Sequence, residues 1–256
     1  MQRYLLLPPI LILLYLPPVL GQVSYGEVNY TATRLNQPEN DLNTDEMPDA
    51  LAEALQEMMR SGGFDQEYVL TFTPEAYTFW EIPRGDKTIE DGGITMRVVG
   101  TRTPDAFRTD LRTGDYTAVR SVADRAFYIS DAAPVPDWTM TGETVAGSDA
   151  TLGFDLRMAT ALTASGDSLR AAYAPALPIP FGPMNVYGLP GAILQLDVCR
   201  SGSCERYQAT KLKVLTEAPE LQAPIGTKPI SQAEYDKQQA KYEARMEKTM
   251  RRSQRD

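Results

Sequence analysis

Cys199 and Cys204 enclose the tetrapeptide Arg200-Ser-Gly-Ser203 and are the chain's only thiols. A thiol pair can exchange disulfides, ligate a metal or form a structural bridge. Exchange needs a thiolate of lowered pKa, usually from a Cys-x-x-Cys motif, a helix N-terminus or a nearby cation. The motif and the helix N-terminus are absent, and the flanking Asp197 and Glu205 raise a thiol pKa instead. Two cysteines also fall short of a four-thiolate metal site. The alternation of Leu194, Leu196 and Val198 leads into the pair, and Tyr207 and Ala209 lead out. Gly202 can supply the positive φ of a tight loop. The spacing predicts a hairpin with Cys199 and Cys204 bonded across it, in an oxidising compartment.

The chain has no histidine among its 256 residues. That excludes histidine-dependent triads, histidine-ligated zinc and imidazole proton shuttling. No Gly-x-Ser-x-Gly elbow and no Ser-x-x-Lys motif stands in for them. Carboxylates are plentiful enough for a glycosidase-like pair, but no two are marked out by spacing. Asp41, Asn43 and Asp45 begin a calcium-loop pattern. It fails at Glu46, where glycine is required, and at Ala52, where the bidentate glutamate belongs. No catalytic, metal or cofactor residue is predicted. The net charge of −9 argues against nucleic acid as a partner.

These residues must be positioned by secondary structure. The start, MQRYLLLPPILILLYLPPVLGQ, has one early cation, an apolar run broken by proline, and a small residue at Gly21. It reads as a cleavable signal peptide over residues 1–21, leaving no integral membrane span. Val28, Tyr30 and Ala32 alternate with polar residues as in a half-buried strand. Pro48 opens and Gly62-Gly63 end a predicted helix with Leu51, Leu55, Met58 and Met59 on one face. Period-two alternation then returns around Tyr68–Phe72, up to Trp80, at Ile94–Val98, on both sides of Ala123-Asp124, from Leu152 to Met158 and from Leu169 to Tyr173. Ser231-Gln-Ala-Glu234 is a capping box, and a charged helix follows it toward Arg252 with its apolar content too thin to pack deeply. The fold class expected is mostly β: an antiparallel sheet or partly open barrel or sandwich, with one N-terminal helix and a charged C-terminal helix. The β domain spans 22–229 and the helical tail 230–256.

The segment FGPMNVYGLPGAILQLDV, residues 181–198, is crowded with turn formers. Pro175, Pro178, Pro180 and Pro183 have no amide donor, so this stretch cannot be a central strand and is expected to run extended in polyproline II form. Gly182 and Gly188 permit turns, and Pro190-Gly191 suits the centre of a type II turn. The segment is read as a structural crossover that sets the register of the hairpin after it.

YGLPGAILQLD (Tyr187–Asp197) resembles the signature of the GLPGLI family of secreted proteins from outer-membraned bacteria. Trp138, Gly153-Phe154, Ala159, Tyr173, Pro178, Gly182-Pro183 and Gly188-Leu189-Pro190-Gly191 fit the same pattern, as does the charged helix near Ile230. The chain departs from it at Leu156 and Met158, where the family often has a cysteine and a lysine, and at Ala192-Ile193. The resemblance implies a periplasmic or cell-surface address and no catalytic residues. It leaves activity open; export and the missing histidine and nucleophile motifs favour a non-catalytic protein binding a partner or ligand, and the family implies a TonB-dependent outer-membrane transporter or another envelope protein as partner. Alternatives are a carrier of an apolar ligand within a curved sheet and a carboxylate-based glycan hydrolase or lyase.

Overall fold

The computed structural model describes residues 23–35, 53, 65–91, 94–98, 100, 103–123, 125–200 and 202–253. The predicted signal peptide, the acidic stretch with Asp41, Asn43 and Asp45, and the helix predicted from Pro48 lie outside them, apart from Glu53.

The first strand, β1 (Gly26–Arg34), runs along the seam between two meanders. On one side lie β2 (Gln66–Phe72), β3 (Ala76–Glu81), β6 (Ala106–Asp110), β7 (Asp115–Val122) and β8 (Arg125–Ala132). On the other lie β13 (Ser203–Val214), β12 (Ala192–Arg200), β11 (Ser168–Ala174), β10 (Leu156–Leu162) and β9 (Thr139–Val145). The short β14 (Pro229–Ile230) pairs in parallel with β8, whereas all other neighbours are antiparallel. The result is one 12-stranded sheet that does not close into a barrel. Inserted between β3 and β6, β4 (Lys87–Asp91) and β5 (Ile94–Val98) form a separate hairpin. The expectation of a mostly β, antiparallel and open fold holds.

Period-two side chains make the inner face. Val28 opposes Leu70, which opposes Phe79, then Phe107, Ala118 and Ile129, and all six are buried. This is the half-buried alternation of an antiparallel sheet, in which a one-residue slip would turn the whole set to water. The inner faces of the two meanders share one core, with Tyr207 of β13 packing 6.1 Å from Phe79 of β3.

Two expectations are corrected. The strand expected from Leu152 begins only at Leu156, because Asp149–Thr151 form a 3₁₀ turn and Leu152 and Gly153 follow with φ of 56° and 80°. The C-terminal helix α1 (Gln232–Ser253) is anchored in the core at its start. Ser231 Oγ accepts from the Glu234 amide at 3.2 Å, and Asp131 accepts from the Gln232 amide at 2.8 Å, which satisfies two free N–H groups of the first turn. Tyr235 is then fully buried, its ring 4.6 Å from the Arg120 guanidinium and edge-on to Phe127 at 6.0 Å. A single aromatic placed one turn after the cap is enough to dock a helix that is otherwise polar.

Candidate functional site

The proline-rich segment is part of the core. Leu177, Ile179 and Phe181 are buried while Pro178 is exposed and Pro180 is half-buried. The backbone bonds explain the alternation: Ile179 N donates to Leu177 O at 2.8 Å, and Phe181 N donates to Ile179 O at 2.9 Å. These are three-residue turns centred on Pro178 and Pro180, whose fixed φ near −65° suits the inverse γ-turn. A ribbon of such turns replaces the expected polyproline II run, and each turn directs the next apolar side chain inward. Phe181 stacks on Phe72 at 4.4 Å and is fully buried in the core.

Gly188-Leu189-Pro190-Gly191 continues this plug. Leu189 is 1 % exposed. The type II turn expected at Pro190-Gly191 is replaced by another three-residue turn, with Gly191 N donating to Leu189 O at 2.8 Å. Ala192 N is drawn away to Leu177 O at 2.9 Å, so the bond that would close a four-residue turn is not made. A β-carbon on Gly191 (φ 154°) would lie 2.2 Å from Ala174 O, and one on Gly182 2.5 Å from Val186 O. Pro183 is buried, and its carbonyl accepts from Val186 N at 3.1 Å. Trp138 Nε1 donates to Tyr187 O at 3.0 Å, and Tyr30 in β1 donates to Ile193 O at 2.7 Å. These bonds fix the segment to β1 and to the chain just before β9.

Cys199 and Cys204 are bonded, and they face each other in the β12–β13 register. Gly202 has φ 86°, as the two-residue connection between Arg200 and Ser203 requires. The thiols are therefore committed to a staple.

An ionic and aromatic cluster lies beneath α1. Arg120 Nε is 3.6 Å from Asp105 Oδ2, and the Asp105 amide donates to Glu81 Oε2 at 2.9 Å. Tyr207 donates to Glu205 Oε2 at 2.7 Å, and Tyr68 stacks on Phe79 at 4.7 Å. Burial pushes the Asp105 carboxyl above its usual range; Arg120 pulls it back, and Glu81 adds to the rise. Burial likewise pushes the Tyr68 and Tyr207 hydroxyls up, so both stay neutral at physiological pH.

The outer face carries a different arrangement. Loop residues Ser148, Ala150 and Thr151 fold over β10–β13 and enclose a cavity of about 310 Å³ with Arg170, Gln195 and Arg206. Internal bonds stiffen this wall: Ser148 N donates to Thr151 Oγ1 at 2.8 Å, and Gly147 N donates to Asp155 Oδ1 at 2.8 Å. Gln208 Nε2 ties it to the sheet through Ala150 O at 3.1 Å. Arg206 grips the buried Asp197 with two bonds, at 2.7 and 2.8 Å, and this pairing holds the guanidinium above its ordinary pKa. Arg170, which faces Asp197 in register, donates to Glu143 at 3.0 Å. A second, more open cavity of about 500 Å³ lies beside Arg108, Asp110 and Ser130 on the other meander.

None of the cavity residues was marked as a site by the sequence. Asp197, a charge within the apolar run Leu194–Val198, was the available signal, but its partner nine positions away became visible only through strand pairing.

No family model matches the chain, and no curated protein matches it. Among solved structures it is similar to PNGF-II. The C2 crystal form is 13 % identical with a TM-score of 0.46, over 77 % of this chain and 28 % of that one. The P2₁ form is 12 % identical with a TM-score of 0.49, over 86 % of this chain and 34 % of that one. The chain thus matches about a third or less of PNGF-II's length, and at this distance the likeness carries nothing about activity.

Proposed function

We propose that the chain is a non-catalytic, exported envelope protein that holds a ligand or partner at the outer face over β9–β13. The observation that carries this reading is the half-open cavity of mixed lining, where guanidinium and amide groups and apolar side chains surround a volume behind a stiffened wall. The apolar-carrier alternative loses support because Phe181, Leu189 and Tyr187 are buried in the core that such a ligand would occupy. The GLPGLI resemblance, the N-terminal sequence and the disulfide favour a periplasmic or surface address. A TonB-dependent transporter or another envelope protein belongs to this proposal as partner. Capture from native envelope with the wild type and a Gln195→Ala variant tests it. A component retained only by the wild type is the expected result; identical capture by two equally stable proteins would overturn it.

The neighbouring Asp105 and Glu81 favour a second reading, a carboxylate-based glycan hydrolase or lyase, because a carboxyl of raised pKa suits a general acid. Glycan cleavage by the wild type that is lost in Asp105→Asn would establish this reading; no cleavage by either protein would reject it.

A further inference from the structure

We infer that the outer cavity binds one neutral sugar ring, either free or at the end of a longer glycan. The inference rests on the reading of this cavity as a binding site and adds the class of ligand. Charge is the first argument. The two guanidiniums, Arg170 and Arg206, are matched by the carboxylates of Glu143 and Asp197, each at hydrogen-bond distance from its partner. An anion entering here would meet balanced charge rather than a positive field, so the site offers it no net attraction.

Hydrogen bonding is the second argument. Arg206 uses the N–H of Nε and one of Nη2 on Asp197, which leaves three N–H groups, two of them on Nη1; Arg170 uses Nη2 on Glu143 and keeps the rest of its fork. Gln195 brings both an amide donor and a carbonyl acceptor, and no hydrogen bond to another described residue engages its side chain. Glu143 has a further oxygen to accept with. A ring of sugar hydroxyls, each both donor and acceptor, meets such a mixed set, whereas a carboxylate or phosphate could use only the donors.

Shape is the third argument. Leu156, Met158 and Ala172 give the same cavity an apolar side, against which the C–H face of a ring can lie. A volume of about 310 Å³ is at the small end of ligand sites, room for one ring and little more.

The test uses the full mature chain and a panel of methyl hexosides, the free hexoses, an oligosaccharide ending in the same ring, glucuronate and inorganic phosphate. Binding is read by calorimetry and ligand-observed NMR. A neutral hexoside should bind, and Gln195→Ala should weaken it about tenfold, as loss of one or two hydrogen bonds does, without lowering Tm. Arg170→Ala, at a half-exposed position, should weaken it similarly, and it avoids Arg206→Ala, which would strand Asp197 without its partner. Equal binding of the oligosaccharide identifies a terminal ring; binding of the free sugar alone identifies a soluble ligand. Preference for glucuronate or phosphate, no binding across the neutral panel, or unchanged affinity in both variants would overturn the inference. If capture from envelope still depends on Gln195 while every sugar fails, the ligand class is wrong and the site stands. If both fail, the site itself is rejected.

Discussion

Gly191→Ala isolates the role of the GLPG turn. Its added methyl would stand 2.2 Å from Ala174 O, 2.7 Å from the carbonyl carbon and 3.1 Å from Pro175 Cα, all of them backbone atoms that cannot rotate away. The residue also has φ 154°, which L side chains rarely adopt. Backbone strain of this kind costs about 1–3 kcal/mol, and forced overpacking a further 1–3 kcal/mol or so, giving roughly 2–6 kcal/mol in all. Gly202→Ala is the matched control, since Gly202 has φ 86° but open space where its β-carbon would be. Its cost should be the left-handed conformation alone, about 1–2 kcal/mol. Pro190→Ala, at an exposed position, should cost less than about 1 kcal/mol, chiefly by loosening the unfolded chain. Thermal and urea unfolding read all three, and a chain of this size loses about 2–4 °C of Tm per kcal/mol. If Gly191→Ala melted no lower than Gly202→Ala, the contact with Ala174 and the structural reading of the turn would both be refuted.

Replacing both Cys199 and Cys204 by serine should cost about 2 kcal/mol on the loop-entropy estimate and leave a folded protein, checked by urea unfolding beside alkylation of the unreduced wild type. Asp105 and Asp167 should give opposite pH dependences. Burial raises the Asp105 pKa, so the native state holds its proton longer and stability falls as pH rises through that raised value; the fall should vanish in Asp105→Asn. Asp167 is held below its usual pKa chiefly by hydrogen bonds from Arg200, so its contribution is present above the unfolded carboxylate range and is lost as pH falls through the lowered value. Tm against pH for both Asn variants checks the signs, and parallel wild-type and variant curves would contradict them. Tyr235→Ala should cost about 3 kcal/mol and expose α1 to limited proteolysis around Lys237 and Lys241, while far-UV spectra retain the sheet.

Much of the sheet was readable because alternation is local. Val28, Tyr30 and Ala32 marked β1 without reference to a partner, and Leu169 to Tyr173 marked β11. Short or fully exposed strands escaped. Every residue of β9 is exposed, so no apolar period exists to find, and β14 has two residues. The plug was half legible: Leu-Pro-Ile-Pro-Phe over 177–181 alternates like a strand, but the prolines argued against one. Only the three-residue turns reconcile these signals. The cavity was hidden for another reason. Arg170, Asp197 and Arg206 come from three strands, and their alignment depends on the bulge between Ala172 and Tyr173 that shifts the β11–β12 register.

The position of β1 has a kinetic consequence. Within each meander neighbouring strands follow one another along the chain, apart from the β4–β5 hairpin between β3 and β6, so each can assemble as its own residues become available. The seam is different: Gly26 pairs with Val214 and Arg34 with Glu205, so the first strand waits for nearly the last. Until residue 214 has been made, β1 can pair only with β2, and its other edge stays open. Contacts of such long sequence separation slow folding and leave unpaired edges exposed in the meantime. The joining of β1 to β13 should therefore be the late, rate-limiting event, and the half-built sheet the species most open to mispairing with another chain.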